Sequence, residues 1–267
     1  MASQTTKQTK KKKYKYKHMK EFVIFMAVFL TILIVAMVFR YIKIKKNVFV
    51  YKDHLDDIVM TVAYKKAPKA AANTAGEMLS AEAAPVTMSL REYGYYIFDV
   101  EGFIQRQAII YNEEDPTQYW KTHYSAGMES NFMNLYAAKL AKGSCLQDIV
   151  YYQLALADGF ALTDDEIAEN EKSAMTTWKG MSEAQREILG IDYEMVLRVK
   201  ERRAIAKAYA REYASTHNVT GFGGTPEEVL SYDGNFFKQI ILPDFDVTYN
   251  DEVLDKIDMG RITVNRE

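Results

Sequence analysis

The longest uninterrupted apolar segment of the chain lies near its N-terminus. It runs from Phe22 to Phe39, 18 residues without a charged side chain, and Lys20 and Arg40 lie on either side of it. As a helix that rises about 1.5 Å per residue it spans roughly 27 Å, close to the thickness of a bilayer's hydrocarbon core, and the flanking cations can extend to the headgroups. A buried helix of a globular domain normally keeps a polar face, so the pattern favours a membrane anchor over residues 21–43.

Two short extended segments follow the anchor. Residues 57–64 are rich in β-branched side chains, and residues 86–88 offer a second short strand. Residues 65–85 between them are rich in alanine and contain few large apolar side chains, which is typical of a linker or a long loop insertion. We expect the two strands to pair as a small antiparallel ribbon that this loop interrupts.

From residue 89 onwards the apolar positions recur every three or four residues, which is the spacing of amphipathic helices. Gly143 interrupts this pattern and is expected to break one helix from the next. The spacing predicts three helices, over residues 89–111, 129–142 and 146–158.

Capping sequences predict where the later helices begin. Thr163–Glu166 and Ser182–Gln185 each combine a hydroxyl residue with Glu or Gln three positions later, the pattern of a capping box. The second of these helices is expected to end at Gly190. Asp192 then opens a long final helix that reaches about Thr216.

The remainder of the chain is less regular. Glycines and Pro226 interrupt the pattern after residue 216, and residues 238–242 are predicted to form a short strand, whose pairing within the chain or with another chain stays open. The predicted architecture is mainly α, with a single N-terminal transmembrane helix, a helical extracytoplasmic domain and a small β ribbon. Its parts are a basic cytoplasmic tail (1–20), the anchor (21–43), a juxtamembrane strand and linker (44–85), the helical domain (86–216) and a C-terminal extension (217–267).

Charge is distributed unevenly along the chain, although the formal net charge is only −2. Residues 1–46 hold 12 of the 34 Lys and Arg side chains and one of the 36 acidic ones, so residues 47–267 carry 22 cations and 35 anions, a net charge of −13. A body this acidic repels phosphate backbones, which argues against nucleic-acid binding. The basic tail is better suited to contact with anionic lipids.

The basic residues also predict how the anchor is oriented. Eight lysines precede the apolar segment and four basic residues follow it closely, a bias that places the N-terminus in the cytoplasm and the body outside. No cleavage site of small residues follows the segment. We therefore expect a permanent single-pass anchor in the cell membrane rather than a cleaved signal peptide.

The chain offers little of the chemistry that enzymes use. Cys145 is its only cysteine, which excludes an internal disulfide framework and a Cys-rich zinc site. As a nucleophile it would need a base such as His123, but it opens an apolar helical stretch and is interpreted as a buried structural residue. The acidic turns at 113–115 and 244–246 lack EF-hand spacing, and the glycine-rich stretch 221–225 lacks the lysine of a phosphate loop. We predict no catalysis, no metal and no cofactor.

Three stretches carry a family resemblance: VMTVA at 59–63, VTMSLREY at 86–93 and YYQLALADGFALTDDE at 151–166. With the order of elements they resemble the N-terminal chaperone module of SurA and of PrsA-type extracytoplasmic foldases, over about residues 57–216. The resemblance implies a helical module that holds polypeptide segments. PrsA-type foldases are usually lipoproteins, whereas this chain has an apolar helix instead. Their parvulin prolyl-isomerase domain relies on a pair of histidines and is expected to be absent, because residues 217–267 contain only His217.

Aromatic and methionine side chains are abundant, with 19 Tyr, 13 Phe and 13 Met. Tyr and Trp join a large apolar area to a polar tip, and Met repacks around varied partners, so a surface lined with them binds unfolded segments with little sequence preference. The alternative is that these side chains fill a helical core. The candidate peptide contacts are seven aromatic residues on more than one helical face: Tyr95, Tyr96, Tyr119, Trp120, Tyr151, Tyr152 and Trp178.

These features predict a membrane-anchored extracytoplasmic chaperone or holdase that binds unfolded or exported polypeptides without catalysis. The alternative is a structural or adaptor subunit of a cell-envelope assembly, such as secretion, division or spore-coat machinery. A holdase contacts many clients, whereas an adaptor docks one specific partner.

Overall fold

A computed structural model describes residues 19, 22–38, 40, 49–66, 85–126 and 129–265. The chain separates into two units, Met1–Phe49 and Val50–Glu267. In the first unit, residues 22–38 are helical and their side chains are exposed. Within the described ranges, no helix combines the length and the apolar character needed to cross a membrane. Glu21, Phe39 and residues 41–43 of the predicted anchor lie outside the described residues. So do most of the Ala-rich segment and the basic tail, including Lys20, apart from Met19.

The unit Val50–Glu267 is mainly helical and contains a small antiparallel three-stranded sheet. Short 3₁₀ helices lie at Tyr51–His54, Pro116–Lys121 and Leu242–Asp244. The strands are β1 (Ile58–Tyr64), β2 (Val86–Ser89), β3 (His123–Ala126), β4 (Glu129–Phe132) and β5 (Phe245–Tyr249). The helices are α1 (Leu90–Tyr111), α2 (Met133–Ala157), α3 (Asp164–Gly180), α4 (Glu183–Leu189), α5 (Tyr193–Thr216), α6 (Pro226–Leu230) and α7 (Asp251–Leu254).

The predicted ribbon of β1 and β2 is confirmed, and a third strand extends it. β1 is the central strand, with β2 and β5 antiparallel on either side, so that Met60 lies opposite both Met88 and Tyr249. The strand of the C-terminal region therefore pairs within the chain. β3 and β4 form a separate two-stranded hairpin.

The strand predicted at residues 238–242 is wrong. Phe237–Ile241 form a π-helical turn, and the strand begins later, at Phe245. Phe237 and Ile241 are both buried while the three residues between them are exposed. A spacing of four between buried positions suits a helical turn, whereas a strand would bury every second residue.

Four of the predicted helix starts are confirmed. Ser89 caps α1 by accepting a hydrogen bond from the backbone N–H of Glu92. Thr163 and Ser182 each form both bonds of a capping box, at the starts of α3 and α4. Asp192 caps α5, which ends at Thr216 as expected. All of these bonds join residues three positions apart, which is why the local sequence predicts them.

The predicted break at Gly143 is wrong. α2 runs without interruption through it from Met133 to Ala157, and residues 129–132 form β4 instead of the first turn of a helix. A Cβ atom at Gly143 would lie only 2.2 Å from a ring carbon of Tyr232. The glycine therefore lets the Tyr232 ring pack against the backbone of the helix.

The core lies around α2 and α5, the two longest helices of the unit that pack directly on each other. α3 packs on α5, and α1 packs on α2. The sheet covers another side of α2, where Gln153 donates a hydrogen bond from Nε2 to the Val62 carbonyl at 2.8 Å. α5 is thus bordered by α2, α3 and the short helix α6.

Candidate functional site

A concave groove lies between α2, α5 and α6, with a volume of about 430 Å³. Ala206, Ala210 and Ala214 line it at intervals of four residues along α5, with Tyr151 and Leu230 among the other lining residues. Residues four apart share one face of a helix, and alanine fills little space, so this face of α5 leaves room for a ligand. We call this cavity the α5 groove.

Helix α6 is fixed to α2 by a buried hydrogen bond. The hydroxyl of Tyr151 donates to the backbone carbonyl of Leu230 at 2.8 Å. α6 itself begins with a capping box, in which Thr225 and Glu228 bond each other's backbone N–H groups, and with Pro226 at its first position. This wall of the α5 groove is therefore well defined although α6 has little more than one turn.

A second cavity of about 480 Å³ lies between α1, α3 and α5, and Lys207 lines both cavities. We call it the flanking cavity. Tyr95 and Phe98 contribute apolar area to it, and the hydroxyls of Ser173 and Thr177 contribute polar atoms. The two cavities together follow about four turns of α5.

A row of cations follows α5 past both cavities. Lys200, Arg203, Lys207 and Arg211 are spaced by three, four and four residues, which places them on one face of the helix. Arg203 donates from Nη1 to Asp99 Oδ2 at 2.6 Å, and its Nε lies 3.5 Å from Asp148 Oδ2. The Lys200 ammonium donates to the Ser173 and Thr177 hydroxyls, at 2.6 and 3.0 Å.

Asp148 is the buried carboxylate beneath this row. It accepts a hydrogen bond from the hydroxyl of Tyr96 at 3.1 Å. Burial raises the pKa of Asp148 to about 6, because the opposing effects of Arg203 and the Tyr96 bond are smaller than the cost of removing the charge from water. Arg203 is shared between two carboxylates, and these together raise its pKa despite its burial.

Asp148 gives the protein an expected pH dependence. Its pKa of about 6 in the folded state lies above the unperturbed 3.8, so the folded state holds the proton more tightly. Below pH 4 the group is protonated in both states, and as the pH rises from about 4 to about 6 the free energy of unfolding falls, by up to about 3 kcal/mol. Urea unfolding at several pH values should show a smaller decrease in the free energy of unfolding for Asp148→Asn over this pH range. Equal decreases in the variant and the unsubstituted protein would contradict the raised pKa of Asp148.

The structure places four of the seven predicted peptide contacts in the core. Tyr95, Tyr96, Trp120 and Tyr151 are each exposed by 5% or less. Tyr95 and Tyr151 still border the two cavities, whereas Tyr96 bonds Asp148. Trp120 donates from its indole N–H to Gln105 Oε1 at 2.9 Å. These four rings therefore pack and position neighbours in this structure and do not form an open aromatic surface.

The other three predicted contacts are partly exposed but lie apart from one another. Trp178 is covered by the guanidinium of Arg186, 4.0 Å above its ring. Arg202 lies 5.9 Å from the ring of Tyr152, and Tyr119 packs against Tyr111. Neither Trp178, Tyr152 nor Tyr119 lines the α5 groove.

Cys145 is fully buried, as predicted for a structural residue, and burial raises the pKa of its thiol. In the part of the chain that the structure describes, no group of three or more His, Cys, Asp or Glu side chains is arranged to hold a metal ion. The cation row on α5 was missed by sequence reasoning, which predicted only a long final helix there. Its signal was present as the 3-4-4 spacing of Lys200, Arg203, Lys207 and Arg211.

No family model matches the chain, and neither a curated protein nor a solved structure shows significant similarity to it. The resemblance to the SurA and PrsA chaperone module therefore stays a prediction. The functional argument depends on the α5 groove and on the residues that line it.

Proposed function

We propose that the protein is a membrane-anchored adaptor whose extracytoplasmic domain docks a segment of a partner polypeptide in the α5 groove, without catalysis. The α5 groove itself carries the proposal: it is concave, its wall is fixed by the bond from Tyr151 to Leu230, and it combines an alanine face with charged side chains. Binding sites typically combine apolar area with a few placed polar groups in this way.

Anchoring is supported by the apolar segment near the N-terminus. The side chains of residues 22–38 are exposed, and the large ones among them include Phe22, Phe25 and Met37, each more than 60% exposed. Apolar area gains about 25 cal/mol per Å² when it leaves water, so lipid would stabilise this segment strongly. The basic residues on its N-terminal side favour a cytoplasmic N-terminus and an extracytoplasmic body.

A holdase is the second candidate, and exposed apolar side chains at the end of α1 favour it. Phe103, Ile109, Ile110 and Tyr111 are exposed by 52, 45, 78 and 60%. Exposed apolar residues close together often mark a binding surface, and apolar contacts of this kind select little between partners. The adaptor proposal is preferred because the core takes up four of the aromatic residues on which a broad client surface would depend.

The two candidates are separated by photo-crosslinking in the cells that produce the protein. A photoreactive residue at Ala210, in the α5 groove, is expected to give one dominant adduct with one partner. The same residue at Ile110 tests the end of α1, where a holdase would give many adducts of different mass. Position 194, the exposed Glu194 at the start of α5, is the control. Adducts at Ala210 no stronger than those at Glu194 would contradict the adaptor proposal.

A protease added to intact cells tests the proposed orientation. Residues 50–267 should be degraded from outside while a tag on the basic tail stays protected. Degradation only after lysis would place the body inside the cell and would contradict the extracytoplasmic proposal.

A further inference from the structure

The charges around the α5 groove and the flanking cavity are not balanced. Asp99 and Asp148 both face Arg203, so these two carboxylates share one cation. Lys200 bonds to two neutral hydroxyls. Among the described residues, neither Lys207 nor Arg211 has a carboxylate within ion-pair distance. Glu227 is the one further carboxylate among the residues that line the two cavities.

For Lys200 and Lys207, burial and a neighbouring cation outweigh the opposing effect of nearby carboxylates. Burial, followed by the positive charge of Arg203, lowers the pKa of both Lys200 and Lys207. Each ammonium group would therefore gain from an anion placed beside it. Residues 47–267 carry a net charge of −13. A row of cations in which Lys207 and Arg211 have no ion pair among the described residues is therefore a local exception and not part of a generally basic surface.

The spacing of the row suits an extended polypeptide. Lys207 and Arg211 are separated by about 6 Å along the helix axis, and Lys200 and Arg211 by about 16 Å. Alternate side chains of an extended segment point the same way and are about 6.7 Å apart, so five or six residues cover the row. The alanine face of α5 leaves room for the backbone of such a segment beside the cations.

We propose that the α5 groove binds an extended acidic segment of a polypeptide, whose alternate carboxylates pair with Lys207 and Arg211 and extend toward Lys200. This inference rests on the proposed adaptor function and names the chemistry of the partner. A carboxylate provides two acceptor oxygens, which match the paired N–H donors of Arg211. The acidic body would repel a long phosphate polymer, whereas a short acidic segment can lie along the cations alone.

Fluorescence anisotropy with the full chain in a non-ionic detergent tests the proposal. The probe is a fluorescent peptide of about eight residues in which Glu and Ser alternate, long enough to cover the row. The matched peptide carries Gln in place of Glu. We expect the acidic peptide to bind at least about tenfold more tightly, and its affinity to fall as salt is raised. Equal binding of the two peptides would overturn the proposal.

Matched variants locate the binding. Lys207→Gln with Arg211→Gln is expected to weaken binding of the acidic peptide about tenfold, since two ion pairs are lost. Lys179→Gln with Arg198→Gln makes the same change in net charge at exposed positions outside both cavities and should change affinity by less than about twofold. Equal losses in the two double variants would mean that net charge acts alone, which would overturn the proposal. Circular dichroism and urea unfolding verify that both variants are folded.

Three further outcomes test this inference or separate it from the adaptor function. A single-stranded oligonucleotide that competes as well as the acidic peptide would show recognition of any polyanion and would overturn the inference. If the acidic peptide fails to bind while Ala210 still gives one dominant adduct in cells, the adaptor function stands and the acidic specificity is wrong. If both experiments fail, both proposals are wrong.

Discussion

Replacing Glu101 by glutamine is expected to lower the free energy of unfolding by about 3 kcal/mol. The Glu101 side chain is fully buried in α1 and accepts hydrogen bonds from the C-terminal segment. The backbone N–H groups of Gly260 and Thr263 each donate at 2.6 Å, that of Ile262 at 3.2 Å, and the Thr263 hydroxyl at 2.5 Å. One carboxylate therefore satisfies four buried or partly buried donors.

Glutamine keeps the size of the side chain but replaces one acceptor oxygen by a donor. Its amide group would face N–H and O–H donors, so at least one of them would lose its partner in a buried environment. Gly260 cannot easily move to compensate, because the Trp120 ring packs so closely that a Cβ atom at Gly260 would lie 2.5 Å from a ring carbon. The loss should be concentrated where the C-terminal segment meets α1.

Urea unfolding measures the loss, and amide hydrogen exchange locates it at residues 260–263. Glu113→Gln is the control, because Glu113 is exposed just beyond the end of α1 and its substitution should change stability by no more than about 0.5 kcal/mol. A Glu101→Gln protein as stable as this control would show that the four hydrogen bonds contribute little.

Replacing Arg203 by methionine is expected to cost about 3 kcal/mol at neutral pH. Arg203 is the cation shared by Asp99 and Asp148, and the side chain of Asp148 is only 7% exposed. Methionine approximates the length of the arginine stem but leaves the Asp148 carboxylate buried without its guanidinium. Breaking one side of a buried pair is costly because the remaining carboxylate must either stay charged out of water or take up a proton.

The cost should depend on pH, which distinguishes it from a packing defect. Below about pH 5 Asp148 is largely protonated in the folded state, so it no longer needs Arg203 and the destabilisation should shrink. At neutral pH, Arg203→Met should likewise destabilise the protein less when Asp148 has already been replaced by asparagine. Arg198→Met, on the exposed side of α5, is the control. A loss that is independent of both pH and Asp148 would point to packing alone.

Local patterns predicted much of the fold. The capping residues Ser89, Thr163, Ser182 and Asp192 all start helices where expected, because each bonds a backbone group only three residues away. The ribbon of β1 and β2 followed from its β-branched composition. The long helix α1 was predicted with nearly correct ends, whereas α2 was predicted as two shorter helices.

The errors have a common physical cause in contacts between distant residues. Gly143 is typical of a helix break, but the ring of Tyr232, 89 positions later, makes it a contact point inside α2. Contacts between distant residues also decide the burial of Tyr96 and Tyr151, because Asp148 and the Leu230 carbonyl accept hydrogen bonds from their hydroxyls inside the protein. No local pattern indicates that such a partner exists.

The sequence by itself determined the capped starts of four helices, the apolar N-terminal segment and the acidic character of the body, since each depends on composition or on neighbours a few residues apart. Only the tertiary structure decided which aromatic rings are buried, how Glu101 holds the C-terminal segment, and how α2, α5 and α6 enclose a groove beside a row of cations. Packing brings together residues that are far apart in the chain, and the free energy of burial, rather than local propensity, selects which of them meet.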